Sequence, residues 1–404
     1  MKQWNRKLGD DSHRYYDIII AMVLLTGLTG FIVNEFLLLI PTGLLVAVAI
    51  MSKLYDRYGG TKLSLMNPKQ SIRLFPGDET NLTFRMRNDS KAPILNGQLS
   101  FYSEPIVKGR EAFSRQAQKG FIYQLPLSVV HKGETGVTMP ITAQYRGVTR
   151  FSRLQYKFPH LIKFQPIIMD YQHKYHTEVI VYPTQKPVYG IDEVFHLSIG
   201  DQTASISPYE DLLTPIGTRD YVTSDPFHRI HWKASAKTQQ LQTKVYERQV
   251  DMSWTILVNL SEHTRLGNQH ISNHLEDLLS YASYLCQEAT KRSFSYEMSL
   301  NMRRPHDRPY YYQPEGQGPQ HLKESLELLA RLNKDHLLMP MEELMYRIHQ
   351  QMYKKKTILL LGEIPESCYR FIRKWQNQGV RVFVLDVQQE NPVLVRIGQG
   401  GGAA

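Results

Sequence analysis

The sequence predicts a multi-domain protein: an N-terminal transmembrane hairpin of two helices, a middle domain resembling a β-sandwich, and a C-terminal doubly wound α/β domain. Three observations predict this order. Two uncharged hydrophobic runs lie near the N-terminus, a period-two alternation of apolar and polar residues follows, and strands alternate with helices after residue 250. A chain of 404 residues is also too long for one ordinary core. The predicted boundaries are 1–60 for the membrane anchor, 61–170 for the β-sandwich-like domain, 171–250 for a joining segment, 251–397 for the α/β domain and 398–404 for a tail.

Two hydrophobic runs predict the membrane anchor. Residues 18–33 and 36–51 contain no charged side chain, and only Asn34 and Glu35 separate them. As one helix, this stretch would reach roughly 50 Å, whereas the hydrocarbon core of a bilayer is about 30 Å thick. The sequence therefore predicts two helices, at about 16–34 and 36–54, joined by a turn at Asn34-Glu35.

The basic residues around these runs predict an orientation. Lys and Arg flank both runs and are absent from the turn, so the positive-inside rule places both ends in the cytoplasm. We expect a multi-pass protein of the cell membrane whose soluble part is cytoplasmic. A cleaved signal peptide is the alternative, but a second apolar run follows and no small-x-small cleavage site is clear. The flanking residues are Lys2, Arg6, Lys7 and Arg14 before the runs, and Lys53, Arg57 and Lys62 after them.

The middle domain is predicted from alternation. In "TNLTFRMRND", Leu82, Phe84 and Met86 alternate with polar residues, as expected for a half-buried strand. The stretches "FPGDE" and "NDSKAP" on either side are typical of turns. Short strands separated by Gly and Pro favour an antiparallel β-sandwich with a binding or spacing role.

The C-terminal domain is predicted from strands that alternate with helices. "WTILVNLS", "TILLLGE" and "VRVFVLDV" are typical of buried strands, and residues 269–291 carry an apolar stripe with helical spacing. Residues 320–332, 341–352 and 366–378 also have helical patterns. A parallel sheet of this kind binds ligands at the carboxyl ends of its strands.

Composition limits the classes of function. The net charge of +10 allows nucleic acid, an anionic lipid surface or an acidic protein as partner, and does not choose among them. Cys286 and Cys368, far apart, exclude a disulfide framework and favour a reducing compartment. No phosphate loop, HExxH motif, dinucleotide fingerprint or nucleophile elbow is present. The basic run Lys354–Lys356 is predicted to be solvated.

A polar motif follows the first α/β strand. In "VNLSEHT", Asn259, Ser261 and His263 occupy alternate positions. This pattern resembles the Asp-x-Ser-x-Ser motif of von Willebrand factor A domains, which coordinates Mg²⁺, with Asn259 for the Asp and His263 for the second Ser. Glu363 could add a carboxylate, but Mg²⁺ prefers several charged oxygen ligands. We expect a degenerate site without metal. His270 and His274, four residues apart, lack a third ligand and are interpreted as an accidental pair.

Residues 218–247 combine many charged groups with one Trp. An active site would need a nucleophile near a base; Ser235 follows His231 by four residues, but no orienting group is evident. A nucleic-acid patch is diluted by two Asp residues. The third interpretation, a structural joint, is favoured: Arg would pair with a carboxylate, Asp225-Pro226 would start a turn, and Trp232 would anchor the segment by burial.

The same segment resembles the signature of a bacterial family of YeaD-like membrane proteins, the domain-of-unknown-function family fifty-eight. That signature runs approximately Arg-x-Tyr, Gly-Asp-Pro-x-x-Arg-x-Ile-x-Trp and Ser-Ala-Arg. Ser224 stands where the family usually has Gly, and this departure argues against the tight turn expected before Asp225. The matching residues are Arg219, Tyr221, Asp225, Pro226, Arg229, Ile230, Trp232, Ser235 and Ala236, with Lys237 in place of the Arg.

The resemblance implies partners rather than a reaction. Such proteins are associated with a MoxR-type AAA+ ATPase and often with a transglutaminase-like membrane protein, and their C-terminal domain is similar to von Willebrand factor A domains. The leading hypothesis is a membrane-anchored, non-enzymatic adaptor or scaffold in cell-envelope or stress functions. One alternative is a metal-dependent or hydrolytic enzyme that uses residues 219–237 or 259–263. Another is a binder of anionic lipid or nucleic acid, although nucleic acid is not expected.

Overall fold

A computed structural model describes residues 3–7, 12–33, 37, 39–67, 70–130, 132–160, 162, 166–173, 175, 177–200, 210–248, 253–263, 268–304, 309–352, 356–387 and 391–398. These residues form two compact units. Unit 1 lies within Met1–Thr184 and includes Leu329–Asn333, and unit 2 lies within Gln185–Leu328 and Lys334–Ala404. The predicted joining segment 171–250 therefore contributes to both units. Residues 399–404 of the predicted tail lie outside the described residues.

Two long helices begin unit 1, α1 (Ser12–Val33) and α2 (Leu39–Tyr58). The stretches Tyr15–Val33 and Leu39–Tyr58 are each long and apolar enough to cross a membrane. Most of their large apolar side chains are exposed, as expected when lipid and not protein surrounds them. The predicted pair of apolar helices is confirmed, with bounds shifted by up to four residues. The predicted turn at Asn34-Glu35 lies outside the described residues.

A short strand, β1 (Trp4–Lys7), precedes the helices and was not predicted. It pairs antiparallel with a later strand of unit 1, where Trp4 faces Tyr171. Near the C-terminal end of α2, Asp56 accepts hydrogen bonds from Arg6 Nη2 at 3.0 Å and from the Tyr16 hydroxyl at 2.7 Å. The base of the hairpin is thus tied to the β structure that follows.

The rest of unit 1 is almost entirely β structure, which confirms the prediction of a mostly β domain. Its six-stranded sheet has the order β1-β12-β11-β5-β8-β7, its four-stranded sheet β2-β4-β9-β6 and its three-stranded sheet β10-β13-β3. Phe84 of β4 and Phe101 of β5 lie 4.9 Å apart between ring centroids, so residues of the two larger sheets share one aromatic core. The strands are β2 (Leu63–Leu65), β3 (Ser71–Leu74), β4 (Glu79–Asn88), β5 (Gln98–Ser103), β6 (Val107–Gly109), β7 (Ser114–Ala117), β8 (Gly120–Pro126), β9 (Gly133–Ala143), β10 (Gly147–Arg150), β11 (Ser152–Pro159), β12 (Pro166–Tyr171) and β13 (Glu178–Val181).

In the described residues, unit 2 contains a six-stranded sheet with helices and two separate two-stranded antiparallel sheets, β14-β15 and β17-β18. The sheet order is β20-β19-β16-β21-β22-β23; the four inner strands are parallel, and the two edge strands, which were not predicted, are antiparallel. The helices are α3 (Ile191–Gly200), α4 (Trp232–Thr238), α5 (Leu275–Lys291), α6 (Gly318–Ala330), α7 (Met341–Gln351) and α8 (Tyr369–Asn377). The strands are β14 (Glu210–Asp220), β15 (Gln242–Arg248), β16 (Ser253–Val258), β17 (Ser261–His263), β18 (Gln269–Ile271), β19 (Ser295–Leu300), β20 (Tyr311–Gly316), β21 (Thr357–Leu361), β22 (Arg381–Asp386) and β23 (Val393–Arg396).

Both faces of the inner strands are buried. Ile358 and Leu360 of β21 belong to one apolar cluster with α7 and α8, whereas Leu359, which is also buried, points to the opposite face by alternation. Helix α5 packs on β16 and β19. Continuous Ile and Leu runs are typical of strands covered on both sides. This packing fixes the carboxyl ends of β16, β19 and β21 next to each other.

Candidate functional site

Three neighbouring parallel strands of unit 2 end in polar residues. Asn259 follows β16, Asn301 follows β19, and Gly362 and Glu363 follow β21. The backbone N–H of Asn259 donates to the Leu361 carbonyl at 2.8 Å, so the strand ends stay paired beyond the ladder. The Asn259 and Asn301 side chains are fully buried.

The two Asn side chains and Ser261 form one hydrogen-bond network. Asn259 Oδ1 accepts from Ser261 N at 3.1 Å, from Ser261 Oγ at 2.7 Å and from Asn301 Nδ2 at 2.5 Å. Asn259 Nδ2 donates to the Glu363 carbonyl at 2.5 Å. Asn301 Oδ1 accepts from Leu260 N at 2.6 Å. The amide groups therefore satisfy one another and the surrounding backbone, as buried polar groups require.

These residues do not fit a Mg²⁺ ion. A hard dication needs several free oxygen lone pairs, preferably from carboxylates. Here Asn259 Oδ1 already accepts three donors, and Asn301 Nδ2 also donates to Ser261 Oγ at 3.1 Å. Within the described residues, no group of three His, Cys, Asp or Glu side chains could hold a metal. Of the residues considered for metal, Asn259 and Ser261 meet, while Glu363 enters the network through its backbone carbonyl.

The Glu363 side chain lies at the exposed rim of this site. Its Oε2 accepts from the His263 backbone N–H at 3.2 Å, and its Oε1 lies 3.6 Å from His263 Nδ1. Both side chains remain substantially exposed to solvent. Gly362, with φ +92°, brings the chain close to Asn259, and a Cβ there would lie 2.2 Å from the Asn259 carbonyl oxygen. The strand ends thus combine a closed interior with an exposed polar rim.

Asn301 was not among the predicted site residues. Its signal was present, because Asn301 directly follows the strand "SYEMSL" as Asn259 directly follows "SWTILV". His270 and His274, which were interpreted as an accidental pair, do not lie in the same element. His270 lies in β18, 3.8 Å from a Glu262 carboxylate oxygen, and His274 precedes α5, 3.7 Å from an Asp277 oxygen.

The signature segment forms a small module in which β14 and β15 pair antiparallel and α4 lies between them in sequence. Arg219 Nη2 donates to Asp225 Oδ1 at 2.5 Å. Asp225 Oδ2 accepts from Val222 N at 3.2 Å and from Thr243 Oγ1 at 3.0 Å. The hydrogen bond from Arg219 holds the pKa of the Asp225 carboxyl below its usual value. The predicted pairing of an Arg with a carboxylate is therefore present, although the Arg219 side chain is half exposed.

The turn before Asp225 forms without glycine. The Asp225 backbone N–H donates to the Val222 carbonyl at 2.8 Å. Ser224 is absent from the residues with positive φ, so its backbone conformation is open to any L-residue. The Ser in place of the family's Gly is compatible with this turn.

His231 and Ser235 are committed to backbone groups. His231 Nδ1 accepts from Ala234 N at 3.1 Å and caps α4. Ser235 Oγ donates to the His231 carbonyl at 3.1 Å and accepts from Gln242 N at 2.8 Å. No nucleophile–base contact between these two side chains is present.

The prediction that Trp232 anchors the segment by burial is wrong. Trp232 is 68% exposed, whereas Ile230 is only 2% exposed and bridges to Thr243 of β15. Trp232 stands at the first position of the seven-residue helix α4, where its indole is largely exposed to solvent. Of the other signature residues, Ser235 is buried, Tyr221 and Arg229 are partly buried, and Pro226, Ala236 and Lys237 are exposed.

The prediction that the basic run is solvated is wrong at Lys356. Lys354 and Lys355 lie outside the described residues. Lys356 is nearly buried, and its Nζ lies 3.0 Å from a Glu297 oxygen and 2.6 Å from a Glu315 oxygen. Burial lowers the pKa of Lys356, but the two carboxylates outweigh it and raise the pKa above its usual value. The three side chains line a cavity of about 420 Å³.

No protein-family model and no curated protein matches the chain. Among solved structures, it is similar to a non-cellulosomal cohesin of Archaeoglobus fulgidus, at 8% identity and TM-score 0.20 over 34% of this chain and 97% of that one. It is also similar to a CARDB domain of Pyrococcus furiosus protein PF1109, at 10% identity and TM-score 0.18 over 30% of this chain and 85% of that one. A third similar structure is a PapD-like domain of human CEP192, at 12% identity and TM-score 0.17 over 30% of this chain and 84% of that one. Scores this low support no conclusion about function.

Proposed function

We propose that the protein is a membrane-anchored, non-enzymatic adaptor or scaffold that works with a MoxR-type AAA+ ATPase. The two apolar helices of unit 1 support an anchor, and the basic residues at their flanks support a cytoplasmic location for the soluble units. The signature around Arg219–Lys237 supports membership of the YeaD-like family. That family implies the ATPase, a transglutaminase-like membrane protein as a second partner, and work in cell-envelope or stress functions.

Unit 2 is proposed to be a degenerate von Willebrand factor A-like domain. Four parallel inner strands, helices on the sheet and polar residues at the carboxyl strand ends support this assignment. The observation that carries the proposal is the closed network of Asn259, Ser261 and Asn301. It occupies the oxygen atoms that a metal would need and leaves the exposed Glu363 and His263 at the rim to contact a protein.

The enzymatic alternative has less support. Ser235 and His231 use their side-chain groups to hold backbone atoms of the module, so neither is positioned to activate the other. A nucleic-acid role is also disfavoured, because Asp220 and Asp225 stand among the basic residues of the same segment.

Co-purification tests the adaptor proposal. The full chain is purified in mild detergent with its cognate MoxR-type ATPase, Mg²⁺ and a slowly hydrolysed ATP analogue. We expect the ATPase to be retained by the wild type, and retention to fall by about tenfold with Glu363→Lys. Glu193→Lys, an equal charge change at an exposed position of α3, is the matched control and should retain the ATPase. Repeated failure of the wild type to retain it contradicts the proposal.

A further inference from the structure

Exposed apolar side chains are concentrated in the signature module. Val222 is 49% exposed, Phe227 74%, Trp232 68% and Leu241 45%. Burying these groups would be favourable by the hydrophobic effect, so four of them within twenty residues of sequence need an explanation. We call these four residues the docking surface.

Backbone hydrogen bonds hold the docking surface together. Tyr221 N donates to the Leu241 carbonyl at 2.9 Å, and His231 N donates to the Gln242 carbonyl at 2.8 Å. The first bond connects the segment that contains Val222 to Leu241. The second connects the start of α4, where Trp232 lies, to the strand that follows Leu241. Phe227 lies 6.0 Å from the ring of Tyr221. These contacts connect the segments of the module that carry the four residues.

Basic side chains accompany the docking surface. Lys233 and Lys237 lie one turn apart on α4, and both are exposed. Among the described residues, no carboxylate forms an ion pair with either of them, whereas Asp225 is paired with Arg219 and Asp220 accepts from Gln242 Nε2 at 2.6 Å. The module therefore exposes apolar side chains together with two Lys side chains that form no ion pair with the carboxylates described in this part of the chain.

We propose that the docking surface binds the anionic headgroup layer of the bilayer in which the chain is anchored. This proposal rests on the anchoring part of the proposed function. Exposed Trp and Phe together with exposed Lys are the composition that inserts at a membrane interface, and each Lys near an anionic surface strengthens binding roughly fivefold. The two helices tether the chain to that bilayer, and a tether raises the effective concentration of the module at the surface.

An acidic protein segment is the competing occupant. Side chains that line a peptide groove are partly covered by the groove walls, whereas Phe227 and Trp232 keep about seven-tenths of their surface open. Such protruding rings suit a fluid headgroup layer. The net charge of +10 agrees with an anionic partner, and the module gives that partner a location.

Trp232 provides its own probe. The chain has four Trp residues, and Trp4, Trp254 and Trp375 are each at most 4% exposed. The full chain is reconstituted into vesicles with 30% phosphatidylglycerol, with and without brominated lipids that quench indole fluorescence at short range. The signal of Trp232 is the difference between the wild type and Trp232→Phe. Because both leaflets contain the quencher, the orientation of the chain in the vesicle does not matter.

We expect the Trp232 signal to fall at least twofold with brominated lipids. The quenching should disappear with Lys233→Glu/Lys237→Glu, and remain with the matched control Arg373→Glu/Lys374→Glu on α8, where both residues are exposed. Phe227→Ser should also weaken it, whereas Leu337→Ser, at an equally exposed position elsewhere, should not. Circular dichroism melting of each variant confirms that it is folded.

Three results overturn the proposal. A Trp232 signal with the emission maximum of solvated indole and no quenching shows that the surface stays in water. A blue-shifted signal that brominated lipids do not quench shows a protein occupant instead. A chain that alkaline carbonate strips from the vesicles overturns the anchor as well, whereas failure of the ATPase co-purification leaves membrane docking untouched.

Discussion

Asn301 Nδ2 donates to Asn259 Oδ1 at 2.5 Å and so joins the ends of two adjacent parallel strands through buried amides. Asn301→Ala removes this donor together with the acceptor for Leu260 N. Leaving buried polar groups unsatisfied costs about 1–3 kcal/mol each, so we expect a loss of roughly 2–4 kcal/mol in the free energy of unfolding of unit 2. Urea titration measures it. Asn273→Ala, at an exposed position, is the control, and equal effects of the two changes would contradict the network.

Asn259→Asp restores the carboxylate of the metal-binding motif. One carboxylate oxygen would then face the Glu363 carbonyl, to which Asn259 Nδ2 now donates at 2.5 Å. We expect a lower melting temperature for this variant. We also expect calorimetry of the wild type to show no saturable micromolar binding of Mg²⁺ or Mn²⁺. Such binding would contradict the interpretation of a closed, metal-free site.

Gly362→Ala tests the close approach of two strand ends. Positive φ alone costs an L-residue roughly 1–2 kcal/mol, and the added Cβ would also meet the Asn259 carbonyl oxygen at 2.2 Å. Gly318→Ala separates the two causes, because Gly318 has φ +88° and open space around its Cβ position. We expect Gly362→Ala to lower the melting temperature clearly more than Gly318→Ala does. Equal shifts would mean that backbone conformation alone requires glycine.

Ile230 is buried in the signature module, whereas Trp232, which was predicted to be buried, is exposed. Ile230→Ala should destabilise the module by about 2–4 kcal/mol, because it leaves a cavity at a buried position. Trp232→Ala should change stability by less than about 0.5 kcal/mol, since the indole is largely exposed. Hydrogen exchange of the β14 and β15 amides reports both. Strong loss of protection with Trp232→Ala would contradict the exposed position.

The pairing of Asp225 with Arg219 predicts a pH dependence. The native pKa of Asp225 is lowered, so the unfolded chain takes up a proton on this side chain at higher pH than the native module does. Its stabilising contribution is present above about pH 4 and is lost as pH falls through the native pKa. Asp225→Asn should therefore flatten the fall in stability below pH 4, as followed by urea midpoints. Glu193→Gln should leave that slope unchanged.

Lys356 neutralises two carboxylates that are largely removed from solvent. Lys356→Met would leave Glu297 and Glu315 without their cation, and breaking a buried pair on one side costs about 3–5 kcal/mol. We expect a correspondingly lower urea midpoint for unit 2. Lys374→Met, at an exposed position of α8, should have almost no effect. Combining Lys356→Met with Glu297→Gln should recover part of the loss.

Regular hydrophobic patterns predicted the positions of strands and helices. Local composition did not predict which residue of the signature module is buried, because tertiary packing decides that. The run "TILLL" lies in β21 and the alternation at Leu82, Phe84 and Met86 lies in β4, because both are one-dimensional consequences of burial. Ile230 forms a backbone bridge with Thr243 of β15, and sequence spacing does not show which residue of the segment pairs there. Asn301 was missed for a related reason: its role requires knowing which strand lies next to β16.

The strand before the helices gives the anchor a mechanical property. Because β1 lies in the six-stranded sheet and precedes α1 in the chain, and because Arg6 of β1 donates to Asp56 of α2, the bases of both helices are connected to the same sheet. A force applied to that sheet therefore acts on both helices at once, and does not pull them away one after the other.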